Sequence, residues 1–248
     1  NTDAGMRAWI EAIQLHGVVL LRGVPAQPGQ LLDVARRIGN VRPSNFGEYY
    51  DVVSMPNPNA SAYTSMGLEL HTDLANWNSP PDVQLLFCIK SSVRGGESLF
   101  ADGFKVATDL RARDPEAFRL LSSHPMDFRF HDDACDIRAS APTIVLDGEG
   151  CITQVRFNNW LRAPMSLPEH LIEPMYAALG TFWNMLRDPG YHLNLRLDPG
   201  CLIAYNNNRV LHGRKSFDPT TGERHLQGCY LNLEDLQSKL RLLDRAQA

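Results

Sequence analysis

Apolar residues recur at helical spacing near the start of the chain. Met6, Trp9, Ile10 and Ile13 mark one face of a helix, and Gly17 stands where a left-handed cap would end it. The run "VVLLRG" then reads as a short buried strand, and "GQLLDVARRIG" as a second helix closed by Gly39. Beyond that point strand signals dominate. "VQLLFCIK", "HPMDFRF", "PTIVLDGEG", "CITQVRF", "YHLNLRL", "CLIAYN" and "LQGCYLNL" are short apolar or alternating runs, and "DGEG" is a hairpin turn signal.

Two helical stretches interrupt the strands. Asp102 is placed to cap "GFKVATDLRARDPEAFRLL". Ser166 and Glu169 form a capping-box pattern ahead of "LIEPMYAALGTFWNML", in which Pro174 starts or kinks the main run. There is no repeat, low-complexity tract or long linker, which predicts one domain over residues 1–248. Many short strands with a few helices outside them predict a mostly β fold, a sandwich or jelly roll with flanking α-helices.

Composition removes several function classes. Lys and Arg number 24 against 28 Asp and Glu, so the net charge is 24 − 28 = −4. Without a basic run the chain has no electrostatic footprint for nucleic acid. The five cysteines are odd in number and form no C-x-x-C pair, which argues against a disulfide framework and a zinc ribbon and suits a reducing cytoplasm. No apolar run approaches the ~20 residues that span a bilayer, and no cleavable leader pattern opens the chain. The expected partner is a small molecule, with a homodimer left open.

The chemistry concentrates in "LELHTDLANW". Side chains at i and i+2 of a strand share a face, so His71 and Asp73 are expected to project together with Thr72 turned away. His131 and Asp133 repeat the His-x-Asp pattern, but "FHDDACD" breaks the strand alternation and reads as a solvated loop. A lone His-x-Asp is weak. His212 and Arg224, in "YNNNRVLHGRKSFDPTTGERHLQGCY", supply the missing logic. Two imidazoles and one carboxylate make a facial metal triad with three open positions. A 2-oxo acid fills two of these and O2 the third, and an arginine fork suits the acid's far carboxylate.

With these residues in place, the chain resembles the Fe(II)/2-oxoglutarate dioxygenases of the taurine dioxygenase-related group, and within them the γ-butyrobetaine hydroxylase-like branch. The resemblance covers nearly the whole chain and is carried by "NASAYTSMGLELHTD", "PPDVQLLFCIKSSVRGGESLFADGF", "VRFNN", "NNRVLHGRKSF" and "GERHLQGCY". It implies a double-stranded β-helix (jelly-roll) core. It also implies Fe(II) held by His71, Asp73 and His212, with 2-oxoglutarate on Arg224 assisted by Ser98. The reaction it implies is C–H hydroxylation by O2, coupled to decarboxylation of 2-oxoglutarate to succinate and CO2. Relatives often carry an N-terminal zinc-binding domain rich in Cys and His, which is not present in this chain.

The same resemblance maps a cage for a trimethylammonium group onto Phe46, Tyr50, Tyr63 and Tyr230. Aromatic faces suit a cation that has no N–H to donate. At the anionic end Asn158 is kept, while Ala60 stands where relatives have an asparagine; Arg162 and Asn159 are candidate substitutes. The expected substrate is therefore a small trimethylammonium zwitterion, γ-butyrobetaine or a phosphonate analogue. Two readings from other classes stay open on the residues alone: a zinc hydrolase using the same three ligands, and a non-catalytic jelly-roll protein that binds quaternary ammonium.

Overall fold

The computed structural model describes residues 2–53 and 64–245. Helix α1 (Asp3–His16) begins where the Thr2 hydroxyl accepts from the Gly5 N–H, and it stops at Gly17, whose φ of 74° is left-handed. Strand β1 (Val18–Leu21) follows as the apolar pattern predicts, and helix α2 (Gln30–Arg36) forms but is capped at Arg37, short of the expected close at Gly39. The strands after them are β2 (Tyr49–Val53), β3 (Leu68–His71), β4 (Val83–Ser91), β5 (Arg94–Gly95) and β6 (Ser98–Asp102). Helices α3 (Gly103–Arg113) and α4 (Pro115–Ser123) lead to β7 (Pro125–His131), β8 (Asp136–Pro142), β9 (Ile144–Leu146) and β10 (Ile152–Val155). Helix α5 (Glu169–Arg187) precedes β11 (Leu193–Leu195), β12 (Leu202–Asn206), β13 (Val210–Arg214), β14 (Phe217–Asp218) and β15 (Arg224–Leu231), and α6 (Leu233–Arg245) closes the described chain.

Two antiparallel sheets organise the molecule. One has the order β1-β12-β4-β15-β2 and the other β11-β6-β13-β3. Their strands are far apart in sequence, so the pairing is set by burial rather than by local turns. Helices α1, α2 and α6 cover the outer face of the larger sheet, with Trp9, Ile10, Leu31 and Leu236 packed on Leu85, Phe87 and Leu202. Helices α3, α4 and α5 cover the smaller sheet, where Phe118 and Phe182 pack with Leu70, Ala101 and Leu211. Between the sheets Phe100 meets Tyr205 with ring centroids 5.3 Å apart, joined by Ile203 and Leu226. Burial on both faces explains why β4 and β12 read as continuous apolar runs.

Several local expectations are revised. The helix after Asp102 is two helices, because Asp114 leaves helical geometry and its carboxylate caps a second start at Pro115. Proline at the first helical position suits a start and disfavours helical geometry in the residue before it. The Ser166/Glu169 capping box does not form: Pro168 precedes α5, and the Ser166 N–H donates to Asp127. Pro174 lies inside α5 and neither starts nor ends it. The end of "LQGCYLNL" turns into α6, whose apolar residues pack on the larger sheet.

Candidate active site

Two adjacent strands bring the histidines together. His212 on β13 is the register partner of His71 on β3, and their ring centroids are 4.3 Å apart. The register is not regular. Arg214 pairs with Leu68, so three steps along β3 match two along β13. This bulge lets Leu68 and His71 face the same cavity despite their odd spacing. Glu69 is turned outward instead, onto Trp183 and Arg187 of α5. Gly213 opposite the bulge must be bare, since a Cβ there would lie 2.6 Å from the Leu68 carbonyl oxygen.

Asp73 reaches the histidines by a different route from the one expected. Strand β3 ends at His71, so alternation does not carry Asp73; a turn does. Leu74 adopts φ 53°, left-handed and costly for a branched side chain. Asn207 holds the turn: its Oδ1 accepts from the Asp73 N–H at 2.8 Å, while its Nδ2 donates to the carbonyls of Asp73 and Pro81. Thr72 is indeed turned away, and its hydroxyl accepts from the Phe157 N–H. Asn207 was missed in the sequence, although a triple asparagine directly after a buried strand was its signal.

The three ligating atoms lie within 4.8 Å of one another. The Nδ1 of His71 is 2.8 Å from the Glu69 carbonyl oxygen, which can only accept, so Nδ1 carries the proton. Its Nε2 therefore presents a lone pair to Asp73 Oδ1 at 3.4 Å, and His212 Nε2 faces the same oxygen at 3.6 Å. Burial, reinforced by His71 and opposed by Asp73, pushes the His212 pKa down to about 3, which leaves a neutral imidazole at physiological pH. Burial works against the Asp73 charge; positive charge at the His212 and His71 positions, with the Tyr230 hydroxyl, holds the carboxyl below the usual range, and with neutral imidazoles a bound cation would have to supply that charge. Lone pairs converging on an ionised carboxylate repel unless a cation sits among them. The donor set fits a divalent metal with nitrogen and oxygen ligands.

Arg224 lines the same cavity, of about 370 Å³. No hydrogen bond or carboxylate partner satisfies its guanidinium among the described residues; its contact is the Phe217 ring, 5.6 Å away. Burial, with Arg196 adding to it, lowers its pKa to about 10, so it stays charged at neutral pH. Arg214 stands beside it, anchored by the carbonyls of Thr64 and Met66. A half-buried cation without a counter-charge is costly and suits an anionic ligand. Ser98 is buried on the same wall.

Aromatic rings line another part of the cavity. Tyr50 and Tyr230 have centroids 5.5 Å apart, and Phe46 lies 6.2 Å from Tyr50. Phe130, which the sequence did not single out, stands 5.8 Å from Phe46. Tyr63 and Ala60 fall outside the described residues. Asn158 lines the cavity, but its amide also braces the walls: Nδ2 donates to the Thr72 carbonyl and Oδ1 accepts from the Trp160 N–H. Asn159 and Arg162 are not among the lining residues, whereas Asn76, Gln84 and Trp160 are. Trp160 meets His71 edge-on at 5.7 Å and is half exposed at the mouth. His131 ends strand β7, paired with Asp136, rather than lying in a loop as expected; it is exposed and is not among the lining residues, and His225 pairs with Asp51 at 2.6 Å.

Two imidazoles and a carboxylate gathered between paired antiparallel sheets, with a half-buried arginine in the same cavity, form a donor set that fits a facial-triad metal centre. Residues 1–230 match the family described as "Taurine catabolism dioxygenase TauD, TfdA family". The chain belongs to that family. It is 40% identical over 243 residues to the γ-butyrobetaine dioxygenase of Pseudomonas sp. (strain AK-1), covering 98% of this chain and 63% of that protein. Against the human γ-butyrobetaine dioxygenase it is 35% identical over 240 residues, 95% of this chain and 62% of the other. The chain thus spans somewhat under two thirds of these relatives. In three dimensions it resembles an asparagine oxygenase solved with Fe(II), 3-hydroxyasparagine and succinate, with a TM-score of 0.71 and 19% identity, covering 93% of this chain and 80% of that one. A taurine dioxygenase from Burkholderia xenovorans gives 0.69 and 17%, over 93% and 82% of the two chains. These likenesses bear on the fold.

Proposed function

We propose that this chain is the catalytic domain of an Fe(II)- and 2-oxoglutarate-dependent hydroxylase acting on a small trimethylammonium zwitterion. The observation that carries the reading is one cavity holding the triad, a half-buried arginine without a hydrogen-bond partner among the described residues, and a cluster of aromatic faces. The strand orders of the two sheets support a double-stranded β-helix core. His71, Asp73 and His212 would hold the iron, and Arg224 with Ser98 the far carboxylate of 2-oxoglutarate. Together iron, O2 and 2-oxoglutarate supply the oxidation that hydroxylates a C–H bond, with release of succinate and CO2. A zinc hydrolase would have no use for Arg224.

The protein's own part is positioning. Asn207 fixes the turn that presents Asp73. The Glu69 carbonyl sets the His71 tautomer, leaving Nε2 free to ligate. The faces of Phe46, Tyr50, Tyr230 and Phe130 receive a quaternary nitrogen, with Tyr63 as a fifth candidate wall. Asn158 is the candidate at the anionic end, and Ala60 in place of the relatives' amide favours a bulkier anion such as a phosphonate.

Succinate release with Fe(II), 2-oxoglutarate and a panel of trimethylammonium acids tests the reading. Trimethylated substrates are expected to exceed their primary-amine analogues roughly tenfold or more in kcat/KM, since a desolvated cation–π contact is worth about 2 kcal/mol. Ala60→Asn is expected to move the phosphonate-to-carboxylate ratio toward the carboxylate. Turnover without 2-oxoglutarate, or preference for the primary amine, would overturn it.

A further inference from the structure

The hydroxyl of Tyr230 makes a contact that an aromatic cage does not need. It donates to Asp73 Oδ2 at 2.7 Å, not to the Oδ1 that contacts the histidines. Asp73 Oδ1 is the atom that faces the two imidazole nitrogens. The carboxylate's two oxygens are thus given different partners. A phenol hydroxyl lies in the plane of its ring, so this bond leaves the ring faces available, and one lies tilted at 37° to Tyr50. Tyr50 is held in turn by the Gln84 amide, 2.5 Å from its hydroxyl, and Gln84 is the register partner of Tyr230 across the sheet.

We propose that Tyr230 is a positioning residue for the metal: its hydroxyl restrains Asp73 to one metal-binding oxygen, while its ring serves the substrate cation. The two roles act through perpendicular parts of one side chain and are separable by Tyr230→Phe, which keeps the ring and deletes the donor. A carboxylate freed at Oδ2 is able to chelate through both oxygens or to swing away from the histidines. Either change alters metal affinity and coordination. This inference rests on the metal-site reading above.

The test is titration of Co(II) into metal-free protein, followed by its visible absorption. Tyr230→Phe is expected to weaken Co(II) binding by about 10–100-fold, the usual cost of losing a hydrogen bond to a ligating group, and to alter the ligand-field band. Tyr205→Phe is the control. It deletes another buried hydroxyl, one without a hydrogen-bond partner among the described residues, from a ring 4.9 Å from that of His212. It is expected to leave the dissociation constant within about twofold of wild type. Wild-type affinity and an unchanged band in Tyr230→Phe would overturn the proposal, as would an equal loss in Tyr205→Phe. Wild-type protein that binds no Co(II) would overturn the metal site itself, and the role of Tyr230 with it.

Discussion

Gly228 offers a sharp test of the aromatic wall, because its lack of a side chain is explained by one neighbour. It sits within β15 between β2 and β4, paired with Tyr50 and Leu86, and its φ is not left-handed. The reason for glycine is therefore space. A Cβ there would lie 2.4 Å from Cζ of Tyr50 and 2.6 Å from both Cε2 and the hydroxyl. Carbon contacts relax at about 3.5–4.0 Å, so the ring must move by about 1 Å or more. Two ladders hold the backbone, so the ring yields, and with it the bond to Gln84 and the stack on Tyr230. Overpacking of this kind costs about 1–3 kcal/mol. For a chain of this size that corresponds to a fall in Tm of roughly 2–12 °C. Losing one face from a cation site worth about 2 kcal/mol lowers kcat/KM for the trimethylammonium substrate by roughly thirtyfold at most. The assay is steady-state succinate release beside a thermal melt. The KM for 2-oxoglutarate should hold, since Arg224 projects from the other end of β15. A folded Gly228→Ala protein with substrate kcat/KM within about twofold of wild type would refute the placement of Tyr50 in the cage.

The other expectations follow from the same geometry. Asp73→Ala and His212→Ala should abolish turnover and leave the far-ultraviolet circular dichroism unchanged, whereas His131→Ala, at the exposed end of β7, should have little effect on rate. Arg224→Lys keeps the charge and loses the fork; one charge-assisted bond lost is worth about 1.5–3 kcal/mol, so the KM for 2-oxoglutarate should rise about 10–100-fold. Because the Arg224 pKa is lowered to about 10, its charged, binding form persists through neutral pH. Affinity for 2-oxoglutarate, measured by equilibrium binding, should then fall about tenfold per pH unit only above about pH 10.

The chemistry was more legible in the sequence than the geometry that delivers it. His71, Asp73, His212 and Arg224 stand out because few residue sets combine two imidazoles, a carboxylate and a guanidinium, and all four line one cavity. Strand runs were visible because β4 and β12 are buried on both faces. What alternation could not reveal was the end of β3 at His71, since Leu74 enters a left-handed conformation that no local signal announces. Phe130 was hidden for a related reason. It belongs to the β7–β8 ribbon, whose approach to Phe46 depends on contacts remote in sequence. The split at Asp114 was legible in "DPE" and was overridden by the helical periodicity on either side.

The irregularity in β3 has a consequence for what the metal centre excludes. In a strand without the bulge, Glu69 and His71 would share a face, and a second carboxylate would stand beside the triad. Instead Glu69 is held from behind by Arg187 at 2.7 Å and by the Trp183 indole, and only its carbonyl turns toward His71. An acidic side chain within reach would compete with 2-oxoglutarate and O2 for the open coordination positions. In the proposed iron site the extra residue in the ladder would thus act as a filter on ligand number, limiting the protein's donors to three.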